Sequence, residues 1–261
     1  MTATDAPPQP ARPGGARLVR LASLAGLLGL WALAALLAQD PGLMPGPWVV
    51  GPLLWQEAAS GRLWLHLGAT LARVAAAFVL AMGLGTALGL AMGRAPRLDR
   101  WLDPWLVVLL NLPALVTIVL CYIWIGLTET AAITAVALNK VPMVTAMLRE
   151  GARALDPGLD AMARVFAMPP GTRLRHVLLP QLAPHLAAAA RTGLALIWKI
   201  VLVVEFLGRS SGVGFQIHLY FQLFDVGMVL AYALAFVAVM LAIEALVLRP
   251  WEARARRWRA P

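Results

Sequence analysis

The sequence predicts an all-α membrane protein of six transmembrane helices with both termini in the cytoplasm. Three observations carry this. First, 61% of the 261 residues are hydrophobic and only 13% are charged, where a soluble domain carries about a quarter. Second, polar and proline-rich stretches divide the chain into apolar runs of roughly 20 residues, the length a helix needs to cross a bilayer. Third, the basic residues are sided. Sixteen of the 22 Lys and Arg fall on segments that this topology places inside, and only Arg62 and Arg209 fall outside. Cytoplasmic loops collect Lys and Arg, so the inverted topology is disfavoured. The net charge of +9 is therefore charge at span ends, which gives no reason to expect a nucleic-acid partner.

Residues 1–17 are rich in Pro, Ala and Gly without periodicity and read as a disordered cytoplasmic tail. Leu18–Gln39 is the first span. It is longer than a signal-peptide core of about 7–15 residues, and no small-residue cleavage site follows, so it reads as an uncleaved anchor. Four prolines between Asp40 and Arg62 mark an external loop, whose end (53–59) suits a short interfacial helix. Leu63–Met92 is the second span. Gly85, Gly89 and Gly93 lie four apart, a spacing that lets helix backbones approach closely, here within the chain. A basic loop with Arg94, Arg97 and Arg100 leads to the third span, Pro104–Gly126, bent at Pro113. Ala131–Leu148 is the fourth span, Ala183–Leu207 the fifth and Val226–Leu248 the sixth. Residues 18–248 thus form one membrane domain, and 249–261 a basic cytoplasmic tail.

Residues 149–182 form the longest polar interruption and carry five arginines, so they are expected on the cytoplasmic face. Asp156-Pro157 is a helix start: Asp caps free N–H groups, and Pro suits the first turn. Leu159, Met162, Ala163 and Phe166 follow at helical spacing. Pro169-Pro170-Gly171 stops this helix. Leu174, Val177 and Leu178 begin a second short one, which Pro180 closes.

Catalytic patterns are missing from the sequence. It has no GxxxxGK[ST] and no HExxH, and its four histidines are scattered over both predicted faces, so neither a P-loop nor a zinc site is expected. The single cysteine, Cys121, lies in an apolar run and builds no disulfide framework. No cofactor is expected. Ionisable side chains inside spans are costly and mark functional candidates. Arg73 and Arg191 lie near span ends, where snorkelling or pairing explains them. Asn139, Lys140, Trp198, Lys199 and Glu205 are candidates for a translocation path. Lys199 leads because it sits deep in its span, and Glu205, six residues on, is not on its face.

The 149–182 stretch resembles the cytoplasmic EAA loop of binding-protein-dependent ABC importer permeases: E-A-A, three residues, G, nine residues, then I-x-L-P. Anchored on Val177-Leu178-Leu179-Pro180, the triplet falls on Ala161-Met162-Ala163 and the glycine on Ala167. The spacings match, but the glutamate and glycine are absent, and Asp160 lies one residue before the glutamate position. Leu71-Ala72-Arg73-Val74 resembles the family's S-L-x-R-V. Arg191, Trp198 and Glu205, followed by Gly212-Val213-Gly214-Phe215, resemble the nitrate/sulfonate/taurine-type branch.

The resemblance implies a type I permease in the bacterial inner membrane. Such a permease pairs with a second permease subunit, either a copy or a paralogue, and receives solute from an external binding protein. It docks a coupling helix, here Leu159–Met168, on a cytoplasmic ABC ATPase. The coupling residues would be Asp160, Ala161, Met162, Ala163, Arg164, Phe166, Ala167, Val177, Leu179 and Pro180. With the glycine lost, Pro169-Pro170-Gly171 is expected to supply the turn, shifted by a few residues. Hydrolysis of ATP would belong to the partner, and an anionic solute would suit the branch and Lys199. Two other classes stay open: an ion-driven secondary transporter, and a membrane assembly subunit that transports nothing.

Overall fold

A computed structural model describes residues 13–248 and 250, with side chains from residue 18 onward except those of 20, 21 and 248. Residues 1–12 and most of 249–261, and so most of both expected tails, lie outside the described residues. Every regular element among those described is helical. In order they are α1 (Pro13–Ala38), α2 (Pro47–Ala59), α3 (Arg62–Arg94), α4 (Pro96–Asn111), α5 (Ala114–Ile125) and α6 (Glu129–Arg153). Then come α7 (Pro157–Val165), α8 (Pro170–Gly208), α9 (Val213–Gln222) and α10 (Val226–Ile243). The first helix begins at Pro13, inside the stretch expected to be irregular.

Four of these, α3, α6, α8 and α10 with its last turn, are individually long and apolar enough to cross a membrane. The third expected span is broken rather than gently bent: α4 and α5 meet at 97°. Pro113 has no N–H to continue the ladder and forces the residue before it out of helical geometry. Leu112 is accordingly extended, at φ −71° and ψ 122°. If this pair counts as one span, there are five. The described apolar part of α1, Ala22–Ala38, is shorter.

α3 and α6 run parallel along a glycine seam. A side-chain carbon on Gly85 would overlap Val144, one on Gly89 would meet Leu148 and the Thr145 carbonyl, and one on Gly93 would overlap Ala152. The small-residue spacing is used within the chain. α8 packs antiparallel to both, and its Ala187, Ala189, Ala190, Leu194, Ile197 and Val201 are buried. α5 closes on α8 through the Tyr122 hydroxyl, which donates to the Val204 carbonyl at 2.8 Å.

Proline does not close a short helix at Pro180. α8 runs from Pro170 to Gly208 without a break. Leu174–Leu178 form one wide turn, in which the Leu179 N–H donates to the Leu174 carbonyl five residues back. Widening a turn takes up the missing proline donor and the crowding of its ring.

Candidate coupling loop and buried charge network

At one end of the bundle, α7 stands between α6 and α8. The Asp156 carboxylate accepts from the Gly158 N–H at 2.7 Å, Pro157 opens the helix, and the Asp156 N–H donates to Gln181 at 2.9 Å. The helix ends at Val165, earlier than the expected Met168. The Met168 N–H reaches back to the Ala163 carbonyl and the Ala167 N–H to Arg164, both at 3.0 Å. This double closure demands a left-handed residue, which is usually glycine. Here Ala167 occupies it at φ +47°. The turn therefore stays at the family's glycine position and is not shifted to Pro169-Pro170-Gly171.

The apolar stripe of α7 splits. Ala163 is buried, and Leu159, Met162, Val165 and Phe166 are exposed, Phe166 at 71%. Phe166 thus does not pack beneath the loop. Ala161 and Arg164 are also exposed, Val177 is buried, and Leu179 and Pro180 are exposed. Asp160 faces inward and gathers three arginines: Arg94 from the end of α3 at 3.2 Å, Arg164 at 3.1 Å and Arg173 at the head of α8 at 2.5 Å. The Arg173 hydrogen bond, with help from Arg94 and Arg164, holds this carboxyl below its ordinary titration range. Nearby, Arg149 and Arg153 reach Asp99 on α4, which ties α6 to the broken pair.

At the far end of the bundle lies a second charged system. Glu205 is completely buried and accepts from Arg73 at 2.6 Å, Thr70 at 2.9 Å and the Gly214 N–H at 2.9 Å. Arg73, also buried, donates twice to Glu129 at 2.7 and 2.8 Å and to the Ser211 carbonyl and hydroxyl at 2.6 and 2.8 Å. Arg209 joins Glu129 at 2.5 Å. The glycines of the 212–214 turn fit around this carboxylate. Gly212 sits at φ +112°, and a side-chain carbon there would overlap the Glu205 carboxylate, while one on Gly214 would overlap the Leu202 carbonyl. His66 Nδ1 accepts from the Gly212 N–H at 3.1 Å, so its ring proton sits on Nε2 and the Gln216 amide turns its oxygen to accept it.

Two expected path residues are buried. Glu205 is a buried half of an ion pair, and Trp198 is buried edge-on against Phe236 with ring centroids 5.6 Å apart. Trp198 also lines a cavity with Arg191, Ala195, Met240 and Glu244. Arg73 pairs inside the bundle, as one of its two sequence readings had it. Of the others, Lys199 is exposed, Asn139 is partly exposed, and Lys140 is 8% exposed. The sequence reading missed Thr70, Glu129 and Ser211. The available signal was an arginine and a glutamate, Arg73 and Glu205, at matching depths from one end of their spans.

Residues 81–249 match the family described as binding-protein-dependent transport system inner membrane component. A putative aliphatic sulfonates transport permease of Escherichia coli (strain K12) is 36% identical over 66% of this chain and 66% of its own length. Its counterpart in Bacillus subtilis (strain 168) is 29% identical over 83% and 78%. The chain thus spans about two thirds of the first and more of the second. Among solved structures, an inward-facing methionine ABC transporter superposes with a TM-score of 0.60 at 19% identity, covering 77% of this chain and 97% of that one.

Proposed function

This chain belongs to the binding-protein-dependent transport system inner membrane component family, in its nitrate/sulfonate/taurine-type branch, and is a permease subunit of an ABC importer; on that premise we propose that it forms half of a pore for a small anionic solute. It works with a second permease subunit, an external solute-binding protein and cytoplasmic ATPase subunits, which hydrolyse the ATP. The proposed topology is six spans in the inner membrane, with the broken α4–α5 pair as the third and both termini inside. Residues 18–248 form the membrane domain. An ion-driven carrier and an assembly subunit without transport are not favoured.

The single observation that supports coupling is the state of α7. Its inner side is fixed by Asp160, while Val165 and Phe166 stand exposed at its end among the described residues. An exposed aromatic on a held helix is how an interface anchor is presented. Arg164 beside it offers a charge, and Ala161 and Met162 complete the outer surface. The test is co-purification with the ATPase from membranes expressing the whole transporter. Phe166→Ala is expected to keep the permease folded and to weaken association by about 1–3 kcal/mol. Unchanged association and unchanged stimulated hydrolysis would remove α7 from the interface.

A further inference from the structure

Among the described residues every carboxylate is engaged, while some cations are not. Of 13 acidic residues, Asp5 and Glu252 lie outside the described residues, and the other eleven are engaged. Eight form ion pairs with arginines at the two ends of the bundle and at the Arg191 level. Asp40, Asp156 and Asp225 accept from backbone N–H groups. Arg97, Arg100 and Arg175, exposed at the α7 end, have no carboxylate partner; within the spans Lys140 and Lys199 are left, and neither has a carboxylate or hydrogen-bond partner among the described residues.

These two lysines lie close to one depth. α6 and α8 run antiparallel, and two approaches set their register: Gly151 against His185, and Met143 against Gly193. Continued, that register puts Lys140 level with residue 196, one turn from Lys199. Lys199 is eight residues from Arg191 and ten from Arg209, about 12 and 15 Å along the helix. A lysine stem is too short to snorkel over either distance. Lys140 is 92% buried, and Asn139 beside it is partly exposed. An ammonium at this depth does not face lipid, and burying one without a counter-charge is costly. No described carboxylate supplies the matching negative charge.

We infer that Asn139, Lys140 and Lys199 form an anion-binding station within the membrane, taking a small oxyanion of the sulfonate or nitrate type. This rests on the permease reading and deepens it, because it places a solute site in the permease itself, apart from the external binding protein. Lys199 offers the exposed charge, Asn139 a neutral amide donor, and Lys140 a fixed field from beneath. The station differs from both end networks, whose arginines are matched by carboxylates of the chain.

The test uses the full transporter in lipid nanodiscs, in a Cys121→Ala background, with Asn139→Cys as reporter. Its rate of modification is measured with an anionic sulfonatoethyl methanethiosulfonate and with the cationic trimethylammonium analogue. The anionic reagent is expected to react faster, after correction for free thiol. The ratio should fall about tenfold in Lys199→Met, which removes one nearby unit charge, and further with Lys140→Met. Methanesulfonate should protect the cysteine. A ratio blind to both substitutions, a cysteine closed to both reagents, or no protection would each overturn the proposal. A deprotonated lysine would give the first of these results. If Lys140→Met fails to assemble, Lys199→Met carries the test alone, since that side chain is exposed. Loss of ATPase from the wild-type preparation would instead overturn the proposed ATPase coupling. Co-purification with charge-blind labelling would sink only the station.

Discussion

The Arg73–Glu205 pair is the sharpest test of how the far end of the bundle is held. Glu205 is wholly buried and accepts three hydrogen bonds, from Arg73, Thr70 and the Gly214 N–H. In Glu205→Gln one acceptor oxygen becomes an NH2, which must face a donor whichever way the amide turns. Breaking one side of a buried pair costs about 3–5 kcal/mol. Arg73 keeps both bonds to Glu129 and those to Ser211, so Glu205→Gln belongs near ~3 kcal/mol. Arg73→Met belongs near ~5, because it strands a carboxylate with no access to water. Arg73→Met with Glu205→Gln removes both charges together and should cost well below the ~8 kcal/mol sum, about 4 or less, the remainder being the Glu129 and Ser211 bonds lost with Arg73 and lost packing. The assay is thermal unfolding of the detergent-solubilised subunit, with the four proteins compared as a double-mutant cycle. A double variant within ~0.5 kcal/mol of the sum would show independent residues, and the reasoning from the buried pair would fail.

Three further outcomes follow from the loop. Ala167→Gly relieves a left-handed alanine and should stabilise the α7 turn by about 0.5–1 kcal/mol, read as slower hydrogen exchange over residues 163–168; faster exchange would contradict the assigned turn. A cysteine at Thr172 in a Cys121→Ala background should react with an impermeant reagent only from the cytoplasmic side; labelling from outside would refute the proposed topology. The Asp160 carboxyl is lowered by Arg173, Arg94 and Arg164. Its contribution is therefore present above the unfolded value near ~3.9 and is lost as pH falls through the lower folded value. A spin label at position 161 should keep its mobility from neutral pH down to about pH 5, and Asp160→Asn should loosen it throughout; a wild-type transition near pH 6 would contradict the clasp.

Local chemistry was the legible part of the sequence. Asp156-Pro157 starts α7 because capping needs only neighbours. The 85/89/93 glycines declare a close approach because nothing larger fits there. Pro113 announced a bend, but whether it bends or breaks depends on what the two halves pack against, and periodicity does not encode that. Proline rules alone close a helix at Pro180; the chain instead widens one turn and continues, since α8 is buried on both sides of it. The left-handed position at Ala167 is similar. Intrinsic preference names glycine, while the two backbone closures and the buried Ala163 hold alanine there. The burial of Glu205 and Trp198 was illegible for a different reason: their partners Arg73 and Phe236 lie far away in the chain, so spacing within α8 says nothing about them.

The two end networks also bear on how a movement of α7 would spread. Asp160 joins α7 to the last residue of α3 through Arg94 and to the head of α8 through Arg173. At the other end, Arg73 and Glu205 join the same two helices again. A helix pair pinned at both ends moves as one body, because relative sliding would break a buried pair at one end and a three-arginine clasp at the other. The glycine seam adds α6 to that body, since its close backbone contacts allow little shear. The break at Leu112 and Pro113 differs: no backbone ladder crosses it, so α4 and α5 can change their angle without losing backbone hydrogen bonds, at the cost of the Asp99 and Tyr122 contacts that hold them to α6 and α8. On the proposed coupling, a pull on α7 then carries α3, α6 and α8 together, along with Lys140 and Lys199. The lysines keep their spacing to each other while the α4–α5 hinge takes up the motion.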